Sequence, residues 1–412
     1  MKLHFRDQTF SFELLRAASY GMYGGSEIGE VLATANRIRD GDFESWHVEW
    51  SRVAERIEII ADTSIQDGHR ISAQQAFLRA SNYCRTAEFF LAPDDPRRME
   101  TYEKSRTTFW RFLELSALCV DRVDIPYEGT TLPGYFYRVD DSQTPRQTLI
   151  ALGGFDSTGE ELYFFAAAAA LQRGYNVLAF DGPGQGEPLR VQHLPARPDY
   201  EVPVRAALDY LMTRVEVDRD RIALMGSSMG GYYAARAAAF EPRVKALIIH
   251  GVFYDFWEMQ VTTKPMLARL GKWKSPRMVE LVLKLAAYFN AELRWAVATG
   301  MWVLGVQNPS ALLREMRRYS LKNTVGKIQQ PTLILHGEKD HFIPREQVDM
   351  LYAALNAPKT LRIFTVEEGA AEHCQMGNMT LLHQVLFDWL DAILKIKNQI
   401  RSESNDRLRR ID

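Results

Sequence analysis

The apolar positions of this chain change period along its length. From about residue 10 to 118 they recur at spacings of three and four, as in "SEIGEVLATANRIRDGDFESWHVEWSRVAERIEIIADTS" and "RISAQQAFLRASNYCRTAEFFL". That period predicts amphipathic helices. The stretch "APDDP", Ala92 to Pro96, interrupts it, and a further helix is expected through Trp110 to Leu118. Near Val120 the pattern switches. "VDRVDIPYEG" and "TLPGYFYRV" predict a hairpin turning at Gly129. Beyond it, short and almost wholly apolar runs ("TLIAL", "YNVLAF", "RIALMG", "VKALIIHG", "PTLILHG", "LRIFTV") alternate with helical stretches. Strands that are apolar on both faces belong to a mostly parallel sheet covered by helices on each side, an α/β fold. The expected organisation is an N-terminal helical segment over 1–118 and an α/β core over 119–254 and 324–398. A helical insert over 255–323 and a charged tail over 399–412 complete it. The insert falls between two strands, where it is expected to lie over their carboxyl ends as a lid.

Composition narrows the class. The chain has 412 residues, 46% of them hydrophobic and 25% charged, enough for a large core. A formal net charge of −2 gives no reason to expect nucleic acid or an anionic membrane as partner. The opening "MKLHFRDQTFSFELL" lacks the apolar stretch of a secretory signal, and the run Leu162 to Leu171 is too short to span a bilayer. Three widely spaced cysteines, Cys84, Cys119 and Cys374, suggest neither a disulfide framework nor a zinc site. A soluble, cytoplasmic protein without metal is expected. The Gly-rich "DGPGQGE", Asp181 to Glu187, fits neither a phosphate loop nor a dinucleotide fingerprint, so no cofactor is expected and the stretch reads as a loop near a site rim.

Chemistry enters at "LMGSSMGGYYAARAA". Gly226-Ser227-Ser228-Met229-Gly230 fits G-x-S-x-G between a strand and an Ala-rich helix, the context of a nucleophile on a sharp turn. Ser228 is the central serine; Ser227 misses that position. A serine needs a base. His373, in "LRIFTVEEGAAEHCQMGN", sits in a loop after a strand and just before the last helix. His383 lies within that helix, His341 directly follows another candidate, and His250 reads as a core histidine. The base needs a carboxylate to hold its tautomer. Asp340, in "PTLILHGEKDHFIP", follows a strand, with Asp255 as the alternative. The order Ser228, Asp340, His373 is that of α/β-hydrolases. An oxyanion hole would take one donor from the Met229 N–H and another from "LGGFDST", with Phe155 expected and Gly154 as the alternative. The insert carries Trp257, Trp273, Trp295 and Trp302, half of the 8 tryptophans, with Tyr288 and Phe289, which favours a flat apolar or aromatic substrate. Lys264, Arg269 and Arg294 read as solvated.

The combination "LGGFDSTGEE", "FDGPGQGE", "GSSMGG", "HGEKD" and "GAAEHC", behind a long helical segment, resembles one branch of the α/β-hydrolases. It is the branch of 2,6-dihydroxypseudooxynicotine hydrolase and of the fungal hydrolases that shorten a naphthopyrone polyketide. The resemblance covers nearly the whole chain. It implies a Ser-Asp-His triad and, in the carbon–carbon hydrolases, an acidic residue soon after the strand that follows the nucleophile helix. "GVFYDFWEMQ" offers Asp255 and Glu258 there, with Glu258 the closer match and Trp257 beside it in the expected pocket. Cys84 stands where the pattern leads us to expect an aromatic residue. The implied activity is cleavage of a carbon–carbon bond next to a ketone through an acyl-enzyme. Ester, lactone or thioester hydrolysis and acyl transfer need the same triad, and hydrolase folds also serve as ligand receptors without turnover. The expected partner is a small aromatic or polyketide-like molecule; homodimerisation is left open.

Overall fold

A computed structural model describes residues 2–395 apart from 272 and 274. The expected charged tail, 399–412, and the last residues assigned to the core, 396–398, lie outside the described residues. The N-terminal part is helical: α1 (Gln8–Ser19), α2 (Ile28–Ala35), α3 (Phe43–Gln66), α4 (Arg70–Glu88) and α5 (Pro96–Leu115). Local chemistry sets their starts. Asp7 caps α1 through the Thr9 and Phe10 N–H groups, Asp42 caps α3, and Asp95 caps α5 ahead of Pro96. The break read at "APDDP" is therefore a cap followed by a proline at the first helical turn. An aromatic cluster binds these helices together: Phe10 stacks on Phe90 at 4.6 Å, and Phe90 on Phe43 at 4.6 Å.

The core is one eight-stranded sheet. Its strands are β1 (Cys119–Tyr127), β2 (Thr130–Arg138), β3 (Arg146–Leu152), β4 (Asn176–Phe180), β5 (Val217–Ser227), β6 (Ala246–His250), β7 (Thr332–Gly337) and β8 (Lys359–Phe364). They lie in the order β1-β2-β4-β3-β5-β6-β7-β8. β1 and β2 form an antiparallel hairpin, with Gly129 at φ 83° in the turn, and β2 pairs antiparallel with β4. Every pairing from β4 through β8 is parallel. β4, β6 and β7 are buried along their whole length, as their continuous apolar sequences require.

The order reverses between β3 and β5. Connections from these neighbouring strands leave in opposite directions and open a crevice at their carboxyl ends. Leu152 and Gly226 are partners at that edge.

Between β6 and β7 the chain leaves the sheet as five helices, Phe256–Thr263, Pro265–Leu270, Pro276–Phe289, Ala291–Val303 and Pro309–Glu315. The stem of this insert is clamped where Phe256 N–H donates to the Tyr319 carbonyl at 3.0 Å and Leu321 N–H to the Tyr254 carbonyl at 2.9 Å. The insert meets the N-terminal helices at Trp295, whose Nε1–H donates to the Phe89 carbonyl at 3.1 Å while its ring stacks on Phe89 at 4.9 Å. Among the described residues no helix is long and apolar enough to cross a membrane.

The N-terminal helices share a continuous apolar core with the sheet, through residues such as Tyr20, Phe109 and Phe164. Deleting residues 1–118 should therefore expose a large apolar face. We expect aggregation or strong binding of an apolar dye, measured as soluble yield and dye fluorescence against the full chain.

Candidate active site

Ser228 follows β5 directly and caps the helix Met229–Ala238. Its backbone sits at φ 56° and ψ −121°, a region that costs a non-glycine residue about 1–3 kcal/mol. The surroundings hold it there. Its N–H donates to the His250 carbonyl at 2.8 Å, and its carbonyl accepts from Gly231 N–H at 2.9 Å. The flanking glycines are steric necessities. A Cβ at Gly226 would run into the Gly230 carbonyl, and one at Gly230 into the Gly153 carbonyl.

His373 begins a short helical turn after β8, within a buried loop. Its Nδ1 lies 2.7 Å from Asp340 Oδ2. Asp340 follows β7, and its other oxygen accepts from the Phe342 and Ile343 N–H groups at 3.0 and 2.9 Å, so the carboxylate is fixed on both sides. An ionised carboxylate only accepts, so the imidazole places its proton on Nδ1 and leaves Nε2 to take another. Burial opposes charge on His373, but the Asp340 carboxylate overrides it and raises the imidazole well above its ordinary pKa. Burial likewise opposes charge on Asp340, and His373 overrides it, lowering the carboxyl.

The loop after β3 passes beside Ser228. Gly154 packs so closely that a Cβ there would lie 3.2 Å from Ser228 Cβ. Gln185, from the Gly-rich loop, donates Nε2–H to the carbonyls of Gly153 and Gly154 at 2.6 and 3.0 Å. The N–H groups of Phe155 and Met229 have no acceptor among the described residues. These elements meet at a cavity of about 190 Å³ lined by Phe155, Ser228, Met229 and His373, with Phe12, Phe253, Phe256, Phe342 and Trp295 among its apolar walls. A strained serine, an imidazole backed by a carboxylate and two free amides are the parts of covalent acyl chemistry.

A family model described as serine aminopeptidase, S33 matches residues 143–368, from β3 to the loop after β8. The chain belongs to this α/β-hydrolase family. It is 38% identical to the hydrolase acrC of Aspergillus aculeatus, over 94% of this chain and 97% of the relative. It is 37% identical to the 20-hydroxy-prefusarin hydrolase FUS2 of Gibberella moniliformis, over 96% of this chain and 99% of the relative. The crystal structure of 2,6-dihydroxy-pseudo-oxynicotine hydrolase superposes with a TM-score of 0.72 at 24% identity, covering 92% of this chain and 95% of that one. The resemblance inferred from the motifs therefore stands, and the shared fold includes the N-terminal helices.

Several residues expected in the pocket are elsewhere. On the helix Phe256–Thr263 the cavity face is Phe256, Met259 and Gln260, so the helical period turns Trp257 and Glu258 away. Glu258 is partly exposed and pairs with Lys322 at 2.8 Å. Asp255 caps the same helix through the Glu258 N–H and also faces Lys322, at 3.3 Å. Trp257 lies under the Arg317 guanidinium at 4.2 Å, and Trp302 under Arg98 at 4.3 Å. Trp273, Tyr288 and Phe289 are exposed. Of the aromatic residues singled out in the insert, Trp295 is the one that lines the cavity. Lys264, read as solvated, lines it too and pairs with Glu292 at 2.9 Å. His250 is buried and stacked on Phe165, and His383 is held by Tyr23 and the Phe165 carbonyl. Cys84 is buried in α4, outside the cavity lining, its thiol pushed up to about 12 by burial.

The sequence reading missed a polar wall. Glu13, Arg16 and Tyr20 of the N-terminal helices line the cavity together with Asp156 and Glu161. Arg16 binds Glu161 in bidentate fashion at 2.7 and 2.6 Å, Asp156 at 2.7 Å and Glu13 at 3.3 Å. "TFSFELLRAAS" carried a signal for it: Glu13 and Arg16 are the two charged residues in a mostly apolar run, buried from Thr9 to Ala17.

Because the turn tolerates no side chain at residue 230, Gly230→Ala should cost about 1–3 kcal/mol or more, the scale of overpacking. The check is a lowered urea midpoint with an unchanged m-value, together with reduced labelling of Ser228 by a fluorophosphonate.

Proposed function

We propose that this protein is a cofactor-free serine hydrolase that cleaves a carbon–carbon bond next to a ketone in a largely apolar small molecule. The observation that carries the hydrolase reading is the convergence of the strained Ser228 and the Asp340-bonded His373 on one cavity. Ser228 Oγ attacks the ketone carbon while His373 Nε2 takes its proton. Asp340 stabilises the imidazolium and keeps it oriented. The Phe155 and Met229 N–H groups receive the oxyanion. Collapse releases the carbon fragment as an enolate and leaves an acyl-serine, which water hydrolyses with His373 as base.

The substrate class is supported by the cavity and by the relatives. Aromatic and aliphatic side chains form most of the wall, which suits a substrate with few charges. One relative is named for a 20-hydroxy-prefusarin and the superposable structure for a 2,6-dihydroxy-pseudo-oxynicotine. Carbon–carbon cleavage also needs a proton for the released carbon and a site that keeps bulk water from the enolate. The N-terminal helices and the insert both line the cavity, which supports the second need.

Ser228→Ala should lower kcat on a β-diketone or acyl-phenol by at least about 10⁴-fold, and Ser228→Ala with His373→Ala should be little worse, since the groups act as a unit. A fluorophosphonate should label the wild type on Ser228, with intact mass as the readout. A labelled enzyme that turns over p-nitrophenyl esters but no ketone would replace this reading by an esterase.

The imidazole must be neutral to act, and Asp340 raises its pKa. Activity on the ester should therefore rise with pH through a value above the ordinary imidazole range. Asp340→Asn should move that rise to lower pH and cut kcat by about 10³–10⁴-fold. An unmoved limb would remove Asp340 from the triad.

A further inference from the structure

We propose that Glu13 is the general acid of this site, delivering a proton from its carboxyl to the carbon released from the ketone by Ser228. This rests on the carbon–carbon reading above. Glu13 lies on α1, one residue after Phe12, whose ring is 5.9 Å from that of His373. Its carboxyl lines the same cavity as Ser228 and His373 and is almost wholly buried.

Charge balance decides which carboxyl in the polar wall holds a proton. Three carboxyls, Glu13, Asp156 and Glu161, face two guanidiniums, Arg16 and Arg85. Arg98 also reaches this set, at Asp156, so the negative charge left uncompensated falls on Glu13, and burial expels such a charge as a bound proton. Glu161 cannot take it. Both its oxygens are held by Arg16, the Tyr20 hydroxyl donates to it at 2.5 Å, and Arg85 stands 3.6 Å away. Burial works against its charge, yet these partners hold its pKa down to about 2. Asp156 has a single short contact with Arg16 and is the most solvated of the three. Glu13 has only long contacts, both of its oxygens 3.3 Å from one Arg16 nitrogen. Burial outweighs Arg16 there, and Asp156 and Glu161 add to it, pushing Glu13 up to about 7. Across the cavity the charged groups are His373 and the Lys264–Glu292 pair, and that pair is internally compensated.

The proton count closes over one turnover. Ser228 gives its proton to His373 as the Cα-type bond to the leaving fragment breaks and the bonding pair moves onto that carbon. Glu13 gives its proton to the carbon, forming a C–H bond and leaving a carboxylate facing Arg16. His373 then returns its proton to Glu13 through cavity water. Neutral His373 takes a proton from the hydrolytic water, and collapse of the second tetrahedral intermediate restores it to Ser228. The sum is ketone plus water giving an acid and a protonated carbon fragment. The acidic residue at the cavity is thus Glu13 on α1 rather than Glu258, the match that the resemblance had implied, which faces Lys322 outside the cavity.

The test uses the full chain with two substrates, a β-diketone or acyl-phenol and a p-nitrophenyl ester. Glu13→Gln keeps the shape of the side chain and removes its acid. We expect ketone kcat to fall by about a hundredfold or more and the ester rate to stay within about tenfold, the usual scale of general acid catalysis. Glu13→Asp should recover part of the ketone rate. The wild type alone gives an independent reading. Its ester rate should keep rising above about 7 as His373 loses its proton, whereas its ketone rate should level off there, because Glu13 loses its own proton over the same range. Equal losses on both substrates in a folded Glu13→Gln, or matching pH profiles for ketone and ester in the wild type, would overturn the proposal and leave Glu13 as a support for Arg16. Ester turnover without any ketone turnover by the wild type would overturn the carbon–carbon reading itself, and the assignment with it.

Discussion

The structure depends on a buried guanidinium. Arg16 projects from α1 and binds Glu161, Asp156 and Glu13 at once, in a wall where its own charge could not survive unpaired. Asp156 adjoins Phe155, and Glu161 ends the same loop, so the ion cluster ties the N-terminal helices to the loop after β3 that passes Ser228. Taking away the arginine would strand buried carboxylates, a loss of about 3–5 kcal/mol in comparable cases. The cavity exists because two bodies of chain close on it, and this cluster fixes the distance between them.

On the opposite side the constraint is backbone. Ser228 reaches its unfavourable dihedrals because β5 hands its N–H to the His250 carbonyl while glycines at 226, 230 and 154 let three backbone segments touch. Gln185 then holds the carbonyls of Gly153 and Gly154 and leaves the Phe155 amide unpaired. The Gly-rich loop that reads as a rim is thus a brace. Two rigid devices, one electrostatic and one steric, meet across a space whose remaining walls are aromatic. A site assembled in this way is held in place before a substrate arrives, which is what electrostatic stabilisation of an oxyanion demands.

The same arrangement separates the work of the two parts of the chain. The sheet supplies the serine, imidazole and carboxylate through the carboxyl ends of β5, β7 and β8. The helices at the N-terminus supply a polar wall, and the insert supplies Phe256, Met259, Trp295 and the Lys264–Glu292 pair. The former group is set by strand order, the latter by helix packing, so the serine, imidazole and carboxylate can be retained while the wall is changed.

By itself the sequence determined the parts that are local. Apolar runs a few residues long marked the strands, G-x-S-x-G marked the turn, and the positions of Asp340 and His373 after strands placed them at one edge of a parallel sheet, because every parallel strand ends on the same side. The break at Ala92–Pro96 marked where one helix ends and the next begins within a turn or so. Tertiary structure decided whatever depends on helix rotation and on contacts between distant segments. Trp257 and Glu258 sit one and two helical steps from Phe256, and those steps carry them out of the cavity. Glu13 and Glu161 are separated by most of the N-terminal helices, and no spacing rule brings them together. Their meeting is a consequence of desolvation: Arg16, buried where α1 meets the chain after β3, had to find its carboxylates there.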